Sequence, residues 1–472
     1  SSFVLMGRVA DHIGRRRAAV VALSGFGVGS LVTGLAPSLP VLLAGRAIQG
    51  LVLALFAPAT VGLLNASFPD GRPRVLAFSL WATVSGSGVA IGPLLGGAIA
   101  DVASWRLAFF INLPLALIAA VGVRTLMRES RHGSGPLRVD VPGTLFLAIG
   151  MAGIVIGLQE GTSLGWIDAR EDGVAGLSVV PFALAAGVAG LVLFVRTELR
   201  RESEGRPVLV PRRLVAVRRF RTGVVASALM SMGLSIVVLL VSIYVQFVLE
   251  RNSFTAGLVM MCLGAGMVVG GVGGSRVINA LGRRRVALVG LGLQPVVLAG
   301  AILVVADPAS PWTMAPFLAV YGALYGGAFS ALTNLIFSDV PAEMASMSAG
   351  VSSTVRLGAG AIGTALLVTV ITAVSTGGLS SELDRHPQLT PLERTTVEQA
   401  AHFALGPGSD SSDERIDTLM KLADEPSTSG LIASVRDRLA TATRGGLALA
   451  IAFALGGLAV ATRLPRAGSA PT

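Results

Sequence analysis

The sequence has 472 residues, of which 53% are hydrophobic and only 14% are charged. Soluble proteins carry roughly 25% charged residues, so this composition excludes a mainly soluble protein. The net charge of +10 does not indicate nucleic-acid binding, because the arginines lie in short connections between apolar stretches. The single cysteine, Cys262, excludes an internal disulfide and a cysteine-based metal cluster.

Apolar stretches that are long enough to cross a bilayer as helices recur along the whole sequence. The predicted fold class is therefore all-α, a polytopic membrane helix bundle with twelve complete spans. The spans lie near 18–36, 41–62, 76–99, 106–124, 141–160, 177–196, 222–248, 255–274, 286–305, 313–338, 349–374 and 444–463.

An internal repeat divides the chain. The N-terminal arginine turn, GRVADHIGRRR (Gly7–Arg17), aligns without gaps with the C-terminal arginine turn, SRVINALGRRR (Ser275–Arg285). Duplicated halves of this kind are typical of transporters. Four spans follow each turn within its half, which predicts two pseudo-symmetric six-helix halves, an inserted helix pair and a cytoplasmic linker. The halves occupy 1–125 and 222–464, the inserted pair occupies 141–196, and the linker occupies 197–221. By this count we expect the first span and most of the second to be missing before Ser1.

The connections between spans alternate in arginine content, and the alternate short connections hold only Arg106, Arg170 and Arg251. By the positive-inside rule, the arginine-rich connections and the C-terminus are cytoplasmic, in the plasma (inner) membrane of a bacterium. The long polar connection 375–443 is then predicted to be an extracytoplasmic loop.

The N-terminal arginine turn has the residues of a conformational latch: Gly7, Asp11, Gly14, Arg15 and Arg16. Glycine allows close helix approach and the positive φ of a tight turn, and the aspartate can pair with arginines or with a helix N-terminus. Such contacts could hold the two halves together in one state. The alternative for the arginines alone is a positive-inside anchor.

Arg46 lies within the 41–62 span, about five residues from its outer end, with Gln49 and Gly50 nearby. A guanidinium inside a membrane usually faces the bundle interior and marks a pathway. The alternative is that Arg46 reaches the interface, since five residues span roughly 8 Å of helix.

The 76–99 span carries Gly88, Gly92 and Gly96 on one face, together with Pro93 and Gly97. Glycines spaced by four favour a close helix contact, and proline bends the helix. We expect this face to seal the outer ends of the bundle and to act as a hinge. Ordinary helix packing is the alternative.

These stretches resemble signatures of the major facilitator superfamily. The N-terminal turn resembles its loop signature, RAIQG (Arg46 to Gly50) its intramembrane arginine motif, and GVAIGPLLGG (Gly88 to Gly97) the antiporter motif of its exporters. WRLAFFINLP (Trp105 to Pro114), the inserted pair and the long loop resemble the fourteen-span drug:proton antiporter branch. One departure is His12, where the family usually has Arg or Lys.

The resemblance implies that Arg46 lowers the pKa of a nearby carboxylic acid and promotes proton release. However, none of the 27 Asp and Glu residues and none of the four histidines falls within a predicted span. Either the missing first span supplies the titratable group, as the resemblance implies, or the protein is not coupled to protons.

The resemblance also implies a central substrate cavity between the halves. The candidates are polar or amphipathic residues in otherwise apolar spans: Trp81, Asn112, Gln246, Asn334 and Arg356. For Arg356, reaching the interface is the alternative. The apolar character of the spans favours an apolar or amphipathic substrate.

The sequence thus predicts a secondary transporter that exports amphipathic drugs or metabolites in exchange for protons by alternating access. We expect a monomer in the lipid bilayer without cofactor, metal, enzymatic activity or nucleic-acid partner, because no catalytic or phosphate-binding motif is present. The alternatives are a dedicated exporter of one metabolite, and a non-transporting scaffold or regulator that uses 375–443.

Overall fold

The structure is a computed structural model that describes residues 2–69, 71–102, 104–131, 140–161, 164–166, 178–206, 208–305, 310–341, 344–376, 383–384 and 429–465. Over this part of the chain the secondary structure is helical. The helices are α1 (Ser2–Ile13), α2 (Arg15–Gly34), α3 (Leu39–Ser67), α4 (Arg72–Val102), α5 (Trp105–Phe110), α6 (Asn112–Leu126), α7 (Val141–Glu160), α8 (Val179–Ser203), α9 (Arg212–Ala216), α10 (Arg218–Ile243), α11 (Ser253–Leu281), α12 (Arg283–Val305), α13 (Ala315–Ser338), α14 (Ala345–Thr376) and α15 (Ser429–Thr462). A π-helical turn (Tyr244–Val248) extends α10, and a 3₁₀ turn (Pro311–Met314) precedes α13.

The prediction of an all-α membrane bundle is confirmed. Eleven stretches of the described chain are long and apolar enough to cross a membrane, and they coincide with eleven of the predicted spans. The remaining predicted span, 76–99, lies within α4.

The predicted extracytoplasmic loop, 375–443, lies mostly outside the described residues, and its location stays a prediction. Residues 385–428 lie outside the described part, but α15 begins at Ser429, so 429–443 are helical. The sequence SGLIASVRDRLATAT contains charged residues, which a hydropathy pattern assigns to a loop. The Leu, Ala and Arg residues of this stretch favour a helix, and the helix begins before its apolar segment.

Close helix contacts through glycine occur in several places, of which two are the inserted pair and the α11–α13 pair. In the C-terminal half, a Cβ added at Gly270 of α11 or at Gly326 of α13 would overlap the backbone of the other helix. In the inserted pair, a Cβ at Gly187 of α8 would lie 2.6 Å from the amide nitrogen of Ile154 in α7. Only residues without a side chain permit backbones to approach this closely.

Both arginine turns lie at the same end of the bundle, which we call the arginine-rich end. Arg15 donates a hydrogen bond to a carbonyl of α3. Phe78 of α4 shares a buried cluster with α3 and stacks on Phe337 near the end of α13, with ring centroids 5.8 Å apart. Arg283 lies close to Asp339, which directly follows α13. The two turns therefore face the same side, as two parallel halves require.

Candidate functional site

The N-terminal arginine turn is built around a buried ion pair. Gly14 separates α1 from α2 with φ 104°, a conformation that glycine adopts without strain. The Arg15 side chain is 1% exposed, and its Nε donates to the Asp11 carboxylate at 2.7 Å. Its Nη1 donates to the Gly62 carbonyl of α3 at 3.0 Å. Gly7 is buried in α1. Asp11, Gly14 and Arg15 of the predicted latch thus meet in one place, Arg16 follows directly, and Gly7 lies one helical turn before Asp11.

Sequence reasoning missed Glu129, which lies just after α6. Its carboxylate accepts the backbone N–H groups of Arg16 and Arg17 at 3.0 and 3.2 Å, at the first turn of α2. A carboxylate at this position satisfies free donors and opposes the positive end of the helix dipole. Arg131 adds a hydrogen bond to the His12 carbonyl at 2.6 Å.

The hydrogen bonds donated by Arg15, Arg16 and Arg17 end on residues of the N-terminal half. The expectation that these arginines bridge the two halves is therefore not what the described contacts show. Arginine side chains reach the nearest acceptors, and here those are supplied by α3 and by the segment after α6. A latch between halves at this turn stays a prediction.

The C-terminal arginine turn repeats the backbone of the first. Gly282 separates α11 from α12 with φ 86°. Arg284 donates to the carbonyls of Leu464 and Thr462, both at 2.8 Å, at the end of α15. Arg16 makes the matching contact, at 3.4 Å, with the Met127 carbonyl at the end of α6. In each half, the second arginine after the glycine binds the end of that half's last helix.

The predicted proton-coupling residues form a short hydrogen-bonded chain. Arg46 donates from Nη1 to the side-chain oxygen of Gln49 at 3.0 Å, and Gln49 donates to the Ser30 hydroxyl of α2 at 2.7 Å. Gln49 is buried, whereas Arg46 is exposed and its guanidinium lies 5.8 Å from the Phe109 ring centre. Gly50 is exposed and makes no close contact. Arg46 does not face the bundle interior in the described chain, and no described carboxylate pairs with it.

The predicted glycine face of α4 does not make the close contact expected of it. A Cβ added at Gly88, Gly92 or Gly96 would meet no described atom within 4 Å, and Gly88 and Gly92 are exposed. Helix α4 packs against α11 of the other half, but not through these positions. Pro93 and Gly97 lie in the same helix. The spacing alone could not tell which face of α4 meets a neighbour, and a hinge role stays a prediction.

A cavity lies between the two halves, bounded by α3 and α4 on one side and by α10, α13 and α14 on the other. The volume open to the centre of a water molecule is about 20 Å³, which is room for one water. Two of the predicted substrate residues, Trp81 and Arg356, meet in its lining. The lining also includes Val61, Ser227, Phe329, Thr333, Phe337, Ser352 and Ser353.

Two contacts join the halves beside this cavity. Phe337 lines the cavity next to the end of α13, and it stacks on Phe78 of α4. The buried hydroxyls of Ser79 in α4 and Ser330 in α13 form a hydrogen bond at 2.8 Å. These pairs are two of the contacts between the halves, which also pack together through α4 and α11 and through α1 and α14.

The other three candidate substrate residues lie outside this lining. Asn334 is buried, but its amide donates to the Ser330 carbonyl of its own helix at 2.9 Å. Gln246 donates to the Ser242 hydroxyl at 2.7 Å, near the far end of α10. Asn112 is the first residue of α6. A polar residue within an apolar span can satisfy its hydrogen bonds locally, so its presence does not place it on a pathway.

A second group that the sequence did not reveal holds the inserted pair to the rest of the chain. Asp140, fully buried before α7, accepts the Gly143 N–H at 2.9 Å and pairs with Arg201 of α8 at 3.2 Å. Glu198 of α8 accepts the backbone N–H groups of Leu209 and Val210 at 3.1 and 2.8 Å.

Arg8 of α1 completes this group, since it donates to the Val208 carbonyl. Burial lowers the pKa of Arg8, while the charges of Glu198 and Asp140 act in the opposite direction. Residues 208–210, in the linker between the halves, are therefore held by α8 on one side and by α1 on the other.

Comparison with known proteins gives consistent results. A family model described as Major Facilitator Superfamily matches residues 1–364. The puromycin resistance protein pur8 of Streptomyces alboniger is 34% identical, over 81% of this chain and 73% of its own length. The tetracenomycin C resistance and export protein of Streptomyces glaucescens is 29% identical, over 86% of this chain and 73% of its own.

The drug efflux pump JefA of Mycobacterium tuberculosis is 30% identical over 97% of this chain and 86% of its own. Among solved structures, the human organic anion transporter MFSD10 superposes with a TM-score of 0.51 over 96% of this chain and 80% of its own. At 13% sequence identity, that likeness concerns the fold alone.

Proposed function

The chain belongs to the major facilitator superfamily, and from this premise we propose that it exports amphipathic drugs or metabolites in exchange for protons by alternating access. Like its family and relatives, it is a multi-pass membrane transporter. It is not an enzyme. Export as the direction of transport is supported by the resistance and efflux proteins among those relatives. The fourteen-span branch and the cytoplasmic C-terminus stay predictions.

The observation that carries the proposal is the cavity between the halves. Its lining comes from both halves, and the Phe78–Phe337 and Ser79–Ser330 contacts join the halves beside it. A cavity shared by two bundles opens when one bundle rotates against the other, which is the movement of alternating access. In the proposed cycle these contacts separate to admit the substrate from the cytoplasm and form again as it leaves.

A reversible cross-link tests this movement directly. Ser79→Cys with Ser330→Cys, in a Cys262→Ser background, places two thiols where the hydroxyls are 2.8 Å apart. In the full-length protein, we expect oxidation of this pair to abolish efflux and reduction to restore it. The two single-cysteine variants are the controls. Full efflux by the oxidised pair would exclude the proposed opening.

Exchange for protons is the finer part of the proposal. It is supported by the resemblance of the 88–97 stretch to an antiporter motif and by the Arg46–Gln49–Ser30 chain. The test is efflux from inverted membrane vesicles with and without an imposed proton gradient. We expect an uncoupler to abolish uphill transport, and Arg46→Ala to reduce it relative to Arg46→Lys. Uphill efflux that persists without the gradient would contradict the coupling.

A second candidate is a dedicated exporter of one compound, because two relatives carry the name of a single antibiotic. A panel of chemically unrelated compounds separates the two. A dedicated exporter confers resistance to one chemical class, whereas a drug exporter confers it to several.

A further inference from the structure

Arg356 places a positive charge inside the bundle without a negative partner. Its guanidinium carbon lies 5.3 Å from the ring centre of Phe329, and in the described chain no carboxylate lies within ion-pair distance of it. A guanidinium among apolar helices is unfavourable unless something compensates its charge. An aromatic face compensates it only in part.

The arginine does not reach toward the aqueous interface. It lies eleven residues into α14, and Phe329 precedes the end of α13 by nine residues, as their bounds give. At 1.5 Å per residue, these separations correspond to roughly 14 to 16 Å from the helix ends. The guanidinium lies level with the inner part of both helices, which argues against simple anchoring at the membrane surface.

The surrounding lining offers hydrogen-bond donors and aromatic faces. The Ser227 hydroxyl is buried and has no hydrogen-bond partner among the described residues. Thr333 and Ser353 add further hydroxyls, and Trp81 adds an indole ring. No acidic residue is among the lining residues of this cavity. One cation and one hydroxyl without a partner in the described chain together suit an anion, and they disfavour a second cation.

We propose that Arg356 binds the acidic group of the exported compound, so that the substrates are amphipathic organic acids with an aromatic or apolar body. The carboxylate or acidic phenol would receive charge-assisted hydrogen bonds from Arg356 and a bond from Ser227. The body of the compound would rest against Trp81 and Phe329. The cavity has room for one water in this conformation, so binding requires the halves to separate. The inference rests on the proposed export function.

The experiment compares naphthoic acid, its neutral amide and the cation ethidium in vesicles that contain the full-length protein. The variants are Arg356→Gln and Arg356→Lys. The control is Arg200→Gln, which removes an arginine that pairs with Glu204 on the surface of α8. We expect Arg356→Gln to raise KM for the acid about tenfold and to leave the amide within about twofold, since only the acid loses a charge-assisted contact. Arg356→Lys should lie between these values, and Arg200→Gln should behave as the wild type.

Equal losses for the acid and the amide would overturn the inference, because they would indicate a structural or coupling role for Arg356. An unchanged KM for the acid in Arg356→Gln would also overturn it. A wild type that exports the amide or ethidium but not the acid overturns the inference and leaves the export function standing. A wild type that exports none of the three overturns the inference and the broad drug exporter, and it leaves the dedicated exporter of one compound.

Discussion

The two arginine turns have the same backbone but different charges. Gly14 and Gly282 both adopt positive φ, at 104° and 86°. Arg16 and Arg284 both bind carbonyls at the end of the last helix of their own half. The two turns therefore share a glycine at positive φ and an arginine that binds the end of a distant helix. We call this bond from Arg16 or Arg284 to the helix end the clamp. The repeated sequence encodes these two features, the glycine turn and the clamp.

The carboxylates that contact the two turns differ. Asp11 pairs with buried Arg15, and Glu129 caps the helix that follows. The second turn has Asn279 at the position of Asp11. Among the described residues, the second turn has no buried pair that matches Asp11–Arg15, so such a pair is not required for the turn itself. We infer that it serves the packing of α1 and α2 on α3, through the bond from Arg15 to Gly62.

The largest loss of stability should come from removing the charge of Asp11, which Asn279 replaces in the second turn. Asp11→Asn leaves the buried Arg15 guanidinium without its carboxylate, which costs about 3 kcal/mol of stability when a buried pair is broken. The reverse change, Asn279→Asp, adds a charge near arginines and should alter stability by less than about 1 kcal/mol. Thermal unfolding in detergent measures both. Equal destabilisation by the two variants would show that the Asp11–Arg15 pair does not stabilise the first turn more than a charge at 279 affects the second.

The next largest effect compares two alanine substitutions, one of which adds a steric clash to the backbone strain that both cause. Gly14→Ala and Gly282→Ala both force an alanine into positive φ, at roughly 1 kcal/mol. A Cβ at Gly14 would also lie 2.7 Å from the Glu129 carboxylate, whereas nothing lies within 4 Å of one at Gly282. We expect Gly14→Ala to be the more destabilising by about 1 kcal/mol, since it also displaces the cap. If Gly282→Ala is the worse of the two, the described contact with Glu129 is not important.

A smaller effect should follow from neutralising the cap. Glu129→Gln keeps the shape of the side chain but removes the negative charge from the N-terminus of α2. We expect a loss of about 0.5 to 1 kcal/mol, smaller in high salt because the group is partly exposed. Unfolding midpoints at low and high ionic strength check this, and a salt-independent loss would assign the effect to hydrogen bonding alone.

The smallest effect concerns the clamp on α15. Arg284→Gln removes two hydrogen bonds to the carbonyls of Thr462 and Leu464. Because the site is partly exposed, we expect about 0.5 kcal/mol and an increase in proteolysis near the C-terminus. Arg285→Gln, one position along the same turn, is the matched control. A C-terminus that stays equally protected in both variants would argue against the clamp.

The sequence predicted the features that depend on local pattern. The apolar periods located the spans, and the glycine before each arginine run predicted a turn that the structure contains. Asp140 was also open to prediction, since an aspartate followed by Val-Pro is a typical start of a helix.

What the sequence could not give is which distant segments meet. Glu129 and Glu198 resemble any carboxylate near a loop, yet one caps α2 and the other binds the linker. Conversely, Gly88 and Gly92 have the spacing of a packing face and are exposed. Local pattern fixes a helix and its faces, but the neighbour of each face is decided by the packing of the whole bundle.

The clamped linker has a mechanical consequence. Residues 208–210 are held by Glu198 and Arg8, so only the short stretch before α10 remains as a tether between the first eight helices and the C-terminal bundle. Such a tether has little slack. It allows the bundles to tilt but resists their drifting apart, so any travel of the C-terminal bundle pulls on the inserted pair. The inserted helices α7 and α8 would then move together with the C-terminal bundle during each transport cycle.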